Sequence, residues 1–177
     1  MTVRPVRRIR WSTAVPQMVV LALSGFALII LSVPIAGDSA GDWDLPPGVT
    51  PAIVSVHSFT PSWRGHPRPW HVGLLWDVDQ RMARPLIEGL EAEGDLIVGD
   101  NEPYDGALAG DTLDRHATRR GLANALIEIR QDLIADEAGA EAWAERFARL
   151  LRPLLADSRL RRIERHPTRT GERLRRP

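Results

Sequence analysis

Ala52-Ile53-Val54-Ser55-Val56-His57-Ser58-Phe59-Thr60-Pro61 is the stretch on which the reading of this chain turns. Residues 52–56 form an apolar, β-branched run of strand length, ended by turn-forming residues. The run predicts a strand that delivers a histidine and a serine to its end. A second run, Asn124-Ala125-Leu126-Ile127-Glu128-Ile129-Arg130, also reads as a strand, and Glu128 interrupts it. A carboxylate in such a run is costly to bury unless it is paired or bound.

Helical patterns alternate with strands around these two runs. His71–Trp76 predicts a further strand. Met82, Leu86, Ile87 and Leu90 recur at helical spacing, with Asp77 or Asp79 as the expected cap and Gly94 as the stop. Leu96–Val98 predicts a short strand, and Asp111 or Thr112 starts a short helix through His116. Ala138–Leu155 predicts a helix with Trp143, Phe147, Leu150, Leu151 and Leu154 on one side. Pro153 is expected to end or kink it. The alternation predicts an α/β three-layer sandwich with a largely parallel or mixed sheet. Ligands in such folds gather beyond the C-terminal ends of strands. His57, the Asp77 region, residues 99–101 and residues 128–130 are all expected there.

The ends of the chain differ from its middle. Residues 1–41 combine arginines with an uncharged run from Val19 to Val33. Taken from Val15 to Ala36, that run is long enough for the ~20 residues of a membrane-spanning helix. It reads as an apolar helix outside the sheet, with the features of a signal peptide or anchor. Residues 42–157 hold the α/β domain. Residues 158–177 are arginine-rich and expected to be solvated, with little order beyond a short basic helix.

Composition narrows the chemistry. The chain has 177 residues, a formal net charge of zero and no cysteine. Thiolate metal sites and nucleophiles are therefore excluded. All 23 Lys+Arg residues are arginine, which excludes a lysine Schiff base and a Walker-type phosphate loop. The neutral balance gives no general case for a nucleic-acid partner. A metal here would need His, Asp or Glu ligands.

His57 reads either as a zinc ligand or as a histidine bonded to backbone. Glu128 reads either as a general base or as the ion-pair partner of Arg130. Arg68, between prolines, suits a substrate carboxylate or a stacked surface contact. Asn101 and Tyr104 lie in a long polar loop, where they could bind a carbonyl or oxyanion or merely form turns. His116 could be a further imidazole at the site, and His71 or Glu102 could supplement the ligands.

Four motifs in order, Val56–Pro61, Arg68–Trp76, Val98–Tyr104 and Ile127–Ile134, resemble the N-formylglutamate amidohydrolase family. The resemblance spans about Pro51 to Leu155. It implies a fold like that of the zinc carboxypeptidases, with His57 as a ligand to zinc or another divalent ion. It implies Glu128 as general base, and beside it Arg68, Asn101, Tyr104 and His116 are the substrate-binding residues expected from their own chemistry. The implied reaction is hydrolysis of an N-formyl or N-acyl amide on an acidic amino acid, in the cytoplasm. No histidine-bearing strand-end motif precedes His57. The chain is thus expected to match only the C-terminal part of the family. It could then be a catalytically incomplete remnant, or be tethered to a membrane through residues 15–36.

Overall fold

The computed structural model describes residues 50–169 in full and the backbone alone of Met18–Leu23, Phe26–Pro34 and Val49. A mixed sheet, flanked by helices on both faces, organises the described chain. Its central strands are β3 (Val49–Phe59), β8 (Asn124–Arg130), β6 (Val72–Leu75) and β7 (Val98–Asp100), neighbours in that spatial order. Two further strands, β1 (Met18–Leu23) and β2 (Phe26–Pro34), continue the sheet antiparallel beyond β3. The expected apolar helix, residues 15–36, lies partly outside the described residues; the described parts of it, Met18–Leu23 and Phe26–Pro34, have extended backbone. Among the described residues no helix is long and apolar enough to cross a membrane.

β3 and β8 are buried on both faces, which is why they read as near-continuous apolar runs. They pair in parallel, with Ile53 opposite Asn124 and His57 opposite Glu128. β6 runs antiparallel to β8, and β7 runs parallel to β6. The strand directions therefore split in half. The Asp77 region, beyond the end of β6, lies at the opposite end of the sheet from His57, and the expected convergence of strand ends does not hold there. The reversal of β6 is a long-range pairing choice that no local pattern encodes.

Side-chain parity sorts the strands between two cores. Ala52, Val54, Val72, Leu74, Ala125, Ile127 and Ile129 face helices α1 (Ala83–Ala92) and α3 (Glu137–Leu155). Ile53, Leu75 and Leu126 face the other way, against Leu113 and Ala117 around the short helix α2 (Thr112–His116). Helix α1 buries Ala83, Leu86, Ile87 and Leu90, the spacing of one helical face. Helix α3 buries Trp143, Phe147 and Leu151 and is capped by Asp136, which accepts the Gly139 N–H at 2.8 Å. Pro153 stands in its last turn, and the helix stops at Leu155.

Three local readings change. Neither Asp77 nor Asp79 caps α1, whose N-cap is Met82 with no side-chain bond. Asp79 instead grips the Arg81 guanidinium, with bonds down to 2.6 Å. Asp77 holds the backbone N–H of Arg169 at 2.9 Å. A charge-assisted fork is stronger than a single cap bond. The proline- and tryptophan-rich loop after β3 contains a small hairpin, β4 (Ser62–Trp63) and β5 (His66–Pro67). Arg64 and Gly65 both have positive φ at its turn, as a type I′ turn requires.

The third change is at the C-terminal end. The chain after Asp157 is anchored at several points as far as Arg169, although most of its side chains stay exposed. Leu160 is buried, Arg81 donates to the carbonyls of Arg159 and Arg162 at 2.9 and 2.7 Å, and the Glu164 N–H bonds the Gly121 carbonyl at 2.8 Å. Arginine content suggested solvation, but here guanidinium forks supply the contacts that hold the segment down.

Candidate active site

The α2 face of the sheet carries an unusual row. His57 on β3, Glu128 on β8, Gly73 on β6 and Gly99 on β7 are successive cross-strand neighbours, so all four share one face. Two positions hold ionisable side chains and two hold none. The glycines make room for the loop after β7. A Cβ at Gly73 would fall on the Glu102 carbonyl oxygen, and one at Gly99 would lie 2.6 Å from it. The Glu102 peptide thus rests on the sheet as a wall beside Glu128.

His57 and Glu128 face each other. Nδ1 of His57 lies 3.6 Å from Oε1 of Glu128, an ion-pair distance too long for a hydrogen bond. Nε2 of His57 lies 3.0 Å from the Ser55 hydroxyl. With Ser55 accepting a proton from Nε2, the Nδ1 lone pair is turned toward the carboxylate. A proton or a cation fits between two such acceptors. The imidazole is 27% exposed and the Glu128 side chain 6%, so the pair opens to solvent on the histidine side.

Glu128 is the most costly group in the row. Its Oε2 is buried and has no hydrogen-bond partner among the described residues. Arg130 does not serve it. That guanidinium bonds both oxygens of Asp132, at 2.8 and 3.2 Å, and reaches the carbonyls of Pro69 and Trp70. The bond from Arg130 holds the Asp132 carboxyl below its ordinary range. An orphaned buried carboxylate oxygen costs about 1–3 kcal/mol or more, and native proteins keep few of them without a use.

Arg68 and Tyr104 meet. Nη1 of Arg68 donates to the Tyr104 hydroxyl at 3.0 Å and to the Thr60 hydroxyl at 3.3 Å. The guanidinium lies 5.1, 5.6 and 5.9 Å from the ring centres of Tyr104, Trp63 and Phe59. No carboxylate pairs with it among the described residues. Asn101 has a different setting. Its side-chain oxygen accepts the N–H groups of Trp76 and Gly106, at 2.9 and 3.0 Å, and so shapes the loop that carries Tyr104. His116 is half-buried at the end of α2, the helix packed on this face. Nδ1 of His71 accepts the Ile97 N–H at 2.8 Å, so that atom is occupied. Glu102 is exposed and contributes backbone to the row.

Sequence reading left two neighbours of the pair unnamed. Ser55 touches His57, whereas the adjacent Ser58 is exposed. Strand parity contains that signal, because i−2 shares a face with i. Asp111, the N-cap of α2, lies within electrostatic range of His57. Burial pushes its carboxyl up, against the Asp114 N–H bond and the field of His57. No sequence signal ties Asp111 to a strand more than fifty residues earlier.

A catalytic zinc ion needs three protein ligands and a water. Among the described residues no group of three His, Cys, Asp or Glu side chains could hold a metal ion. The described donor set therefore does not by itself fit the zinc that the family resemblance implies.

Residues 48–135 match the family model described as N-formylglutamate amidohydrolase. All four motifs quoted above fall inside this stretch. Among solved structures, the gene product Atu2144 of Agrobacterium tumefaciens is similar at 39% identity, with a TM-score of 0.53. The alignment covers 59% of this chain and 42% of that one, so this chain spans less than half of that protein's length. Comparison with curated proteins gives no match.

Proposed function

We propose that this chain carries the general-base half of an amide-hydrolysing site, acting on an N-formyl or N-acyl amino acid that bears a free carboxylate. The observation that carries the reading is the buried, unpartnered Oε2 of Glu128 beside the His57 imidazole. Glu128 takes a proton from a water molecule, and the resulting hydroxide adds to the acyl carbon. The tetrahedral adduct then collapses, Glu128 returns the proton to the departing nitrogen, and the C–N bond breaks to give a carboxylic acid and an amine. His57, turned by Ser55, faces the same water and can support the charge on Glu128 when protonated. Arg68, held by Tyr104 and free of any acidic partner among the described residues, suits the substrate carboxylate.

No step runs through a metal. If a divalent ion is part of the working site, this reading assigns His57 as one ligand and needs further ligands beyond the described donor set. The second reading, a member of the family without hydrolytic activity, is favoured by the short ligand set.

The test is hydrolysis of N-formyl-L-glutamate by the purified full chain, with and without added zinc, read as formate release. Glu128→Gln should lower kcat by about 10²–10⁴-fold, the usual worth of a general base. Arg68→Ala should act mainly on KM, raising it about tenfold or more for loss of a charge-assisted bond. Release that is unchanged in Glu128→Gln overturns the proposal. No release under any condition, with no zinc retained on dialysis, favours the inactive reading.

A further inference from the structure

The C-terminal segment reaches back to the loop that carries Tyr104. Arg169 bridges the turn after β6 and the loop after β7. Its backbone N–H bonds Asp77 Oδ1 at 2.9 Å, and its Nε bonds the Asp77 carbonyl at 2.8 Å. Nη2 donates to the Trp76 carbonyl at 2.6 Å and to Asp105 Oδ1 at 3.1 Å, while Nη1 reaches Asp105 Oδ2 at 3.3 Å. The guanidinium also lies 5.4 Å from the Trp76 ring centre. Asp77 and Asp105 are both largely shielded, at 5% and 15% side-chain exposure, so solvent screens these pairs less than at an open surface.

Trp76 is the post around which the loop is wound. Its backbone N–H bonds Asn101 Oδ1 at 2.9 Å, and its indole N–H bonds Asp100 Oδ1 at 2.6 Å. The Asn101 N–H bonds the Leu74 carbonyl at 2.9 Å. These bonds fix the start of the loop. Past Asn101 the loop carries Glu102, whose peptide walls Glu128, and Tyr104, whose hydroxyl takes the Arg68 bond. Asp105, the next residue, is a second anchor, and the Arg169 guanidinium grips both its carboxylate oxygens beside the bond from the Gly106 N–H to Asn101.

We propose that Arg169 is a positioning residue, which fastens the loop at Asp105 and so sets Tyr104 against the Arg68 guanidinium. The C-terminal segment is then part of the site's scaffold and not a solvated tail. The kinetic consequence rests on the proposed hydrolase reading, whereas the placement of Tyr104 does not.

Tyr104 is the chain's one tyrosine, which makes it a clean reporter. In protein labelled with 3-fluorotyrosine, the single ¹⁹F resonance should move in Arg169→Ala toward its position in Arg68→Ala, with native far-ultraviolet circular dichroism in both. Arg169→Lys, which keeps the charge but loses the fork, should move it part of the way. If Arg169→Ala loses the native spectrum, Asp105→Asn decides. It keeps an acceptor for the Ala107 N–H, which Asp105 Oδ1 holds at 2.8 Å, and removes the charge that Arg169 reads. The same resonance shift is expected there. A resonance unmoved in a folded Arg169→Ala, or in Asp105→Asn, overturns the proposal. In the active protein, KM should rise about tenfold with a smaller change in kcat, the mark of a lost binding contact. A resonance that moves in these variants, in a protein whose wild type shows no hydrolysis, keeps the positioning role and sinks the hydrolase reading.

Discussion

The two faces of the sheet are built on the same strands and are spent differently. Under α1 and α3 the sheet positions that flank the site's row are Val56, Ile127 and Leu74 on one side and Ile129, Val72 and Val98 on the other, all apolar and all packed into one core. One residue along, on the α2 side, the corresponding row is His57, Glu128, Gly73 and Gly99. Ile127 and Glu128 are both almost fully buried, at 1% and 5% exposure, and are covalent neighbours. Parity alone assigns one to the core and the other to the candidate chemistry. A site placed this way borrows rigidity from the core beneath it, because the strand that fixes Ile127 also fixes Glu128.

The contrast is broken most forcefully by truncating the closed face. Ile127→Ala should cost about 2–5 kcal/mol, the range for emptying a buried aliphatic site. Denaturant unfolding would show it as a fall in midpoint. The loss should be one of stability, with residual activity per folded molecule near that of the wild type. A native-like midpoint would mean that the α1/α3 face is not the principal core. The open face is sharpened by Gly73→Ala. The added methyl collides with the Glu102 carbonyl, so the loop must move. Overpacking of this kind costs about 1–3 kcal/mol. Here the larger effect is expected on the site than on the midpoint, read through the Tyr104 fluorine resonance and KM.

Much of this arrangement is legible in the sequence, for identifiable reasons. β3 and β8 announce themselves because strands buried on both faces must be apolar throughout, and a histidine or glutamate then stands out against them. The buried stripes of α1 and α3 follow from spacing. The His57–Glu128 meeting was implied by resemblance and agrees with the 3.6 Å approach. What was not legible depends on distant partners. The direction of β6 is decided by pairing with β8, about fifty residues later. The loss of Asp77 and Asp79 as caps follows from arginines that claim them, one of them 92 residues away. The anchoring of the C-terminal segment is illegible for the same reason, since an arginine-rich sequence looks alike whether its forks meet water or carboxylates.

The smallest expected effect concerns α2, the thin cover of the open face. Burial pushes the Asp114 carboxyl up, but hydrogen bonds from Arg119 and the Gly110 N–H outweigh it and leave the group below its ordinary value of 3.8. A carboxyl depressed in the fold stabilises the fold above its unfolded pKa, and that contribution is lost as pH falls through the folded value. Asp111, three residues earlier, is raised by burial and works in the opposite sense, so the wild-type profile partly cancels. Asp114→Asn separates the two. Because the Arg119 partner is largely exposed, the difference should be about 1 kcal/mol or less. Thermal melts should show it in full from about pH 5 to 7 and show it closing as pH drops below the ordinary aspartate value of 3.8. A gap that widens toward acid would mean that Asp114 is not held ionised by its neighbours, and that α2 is fastened over the site by packing alone.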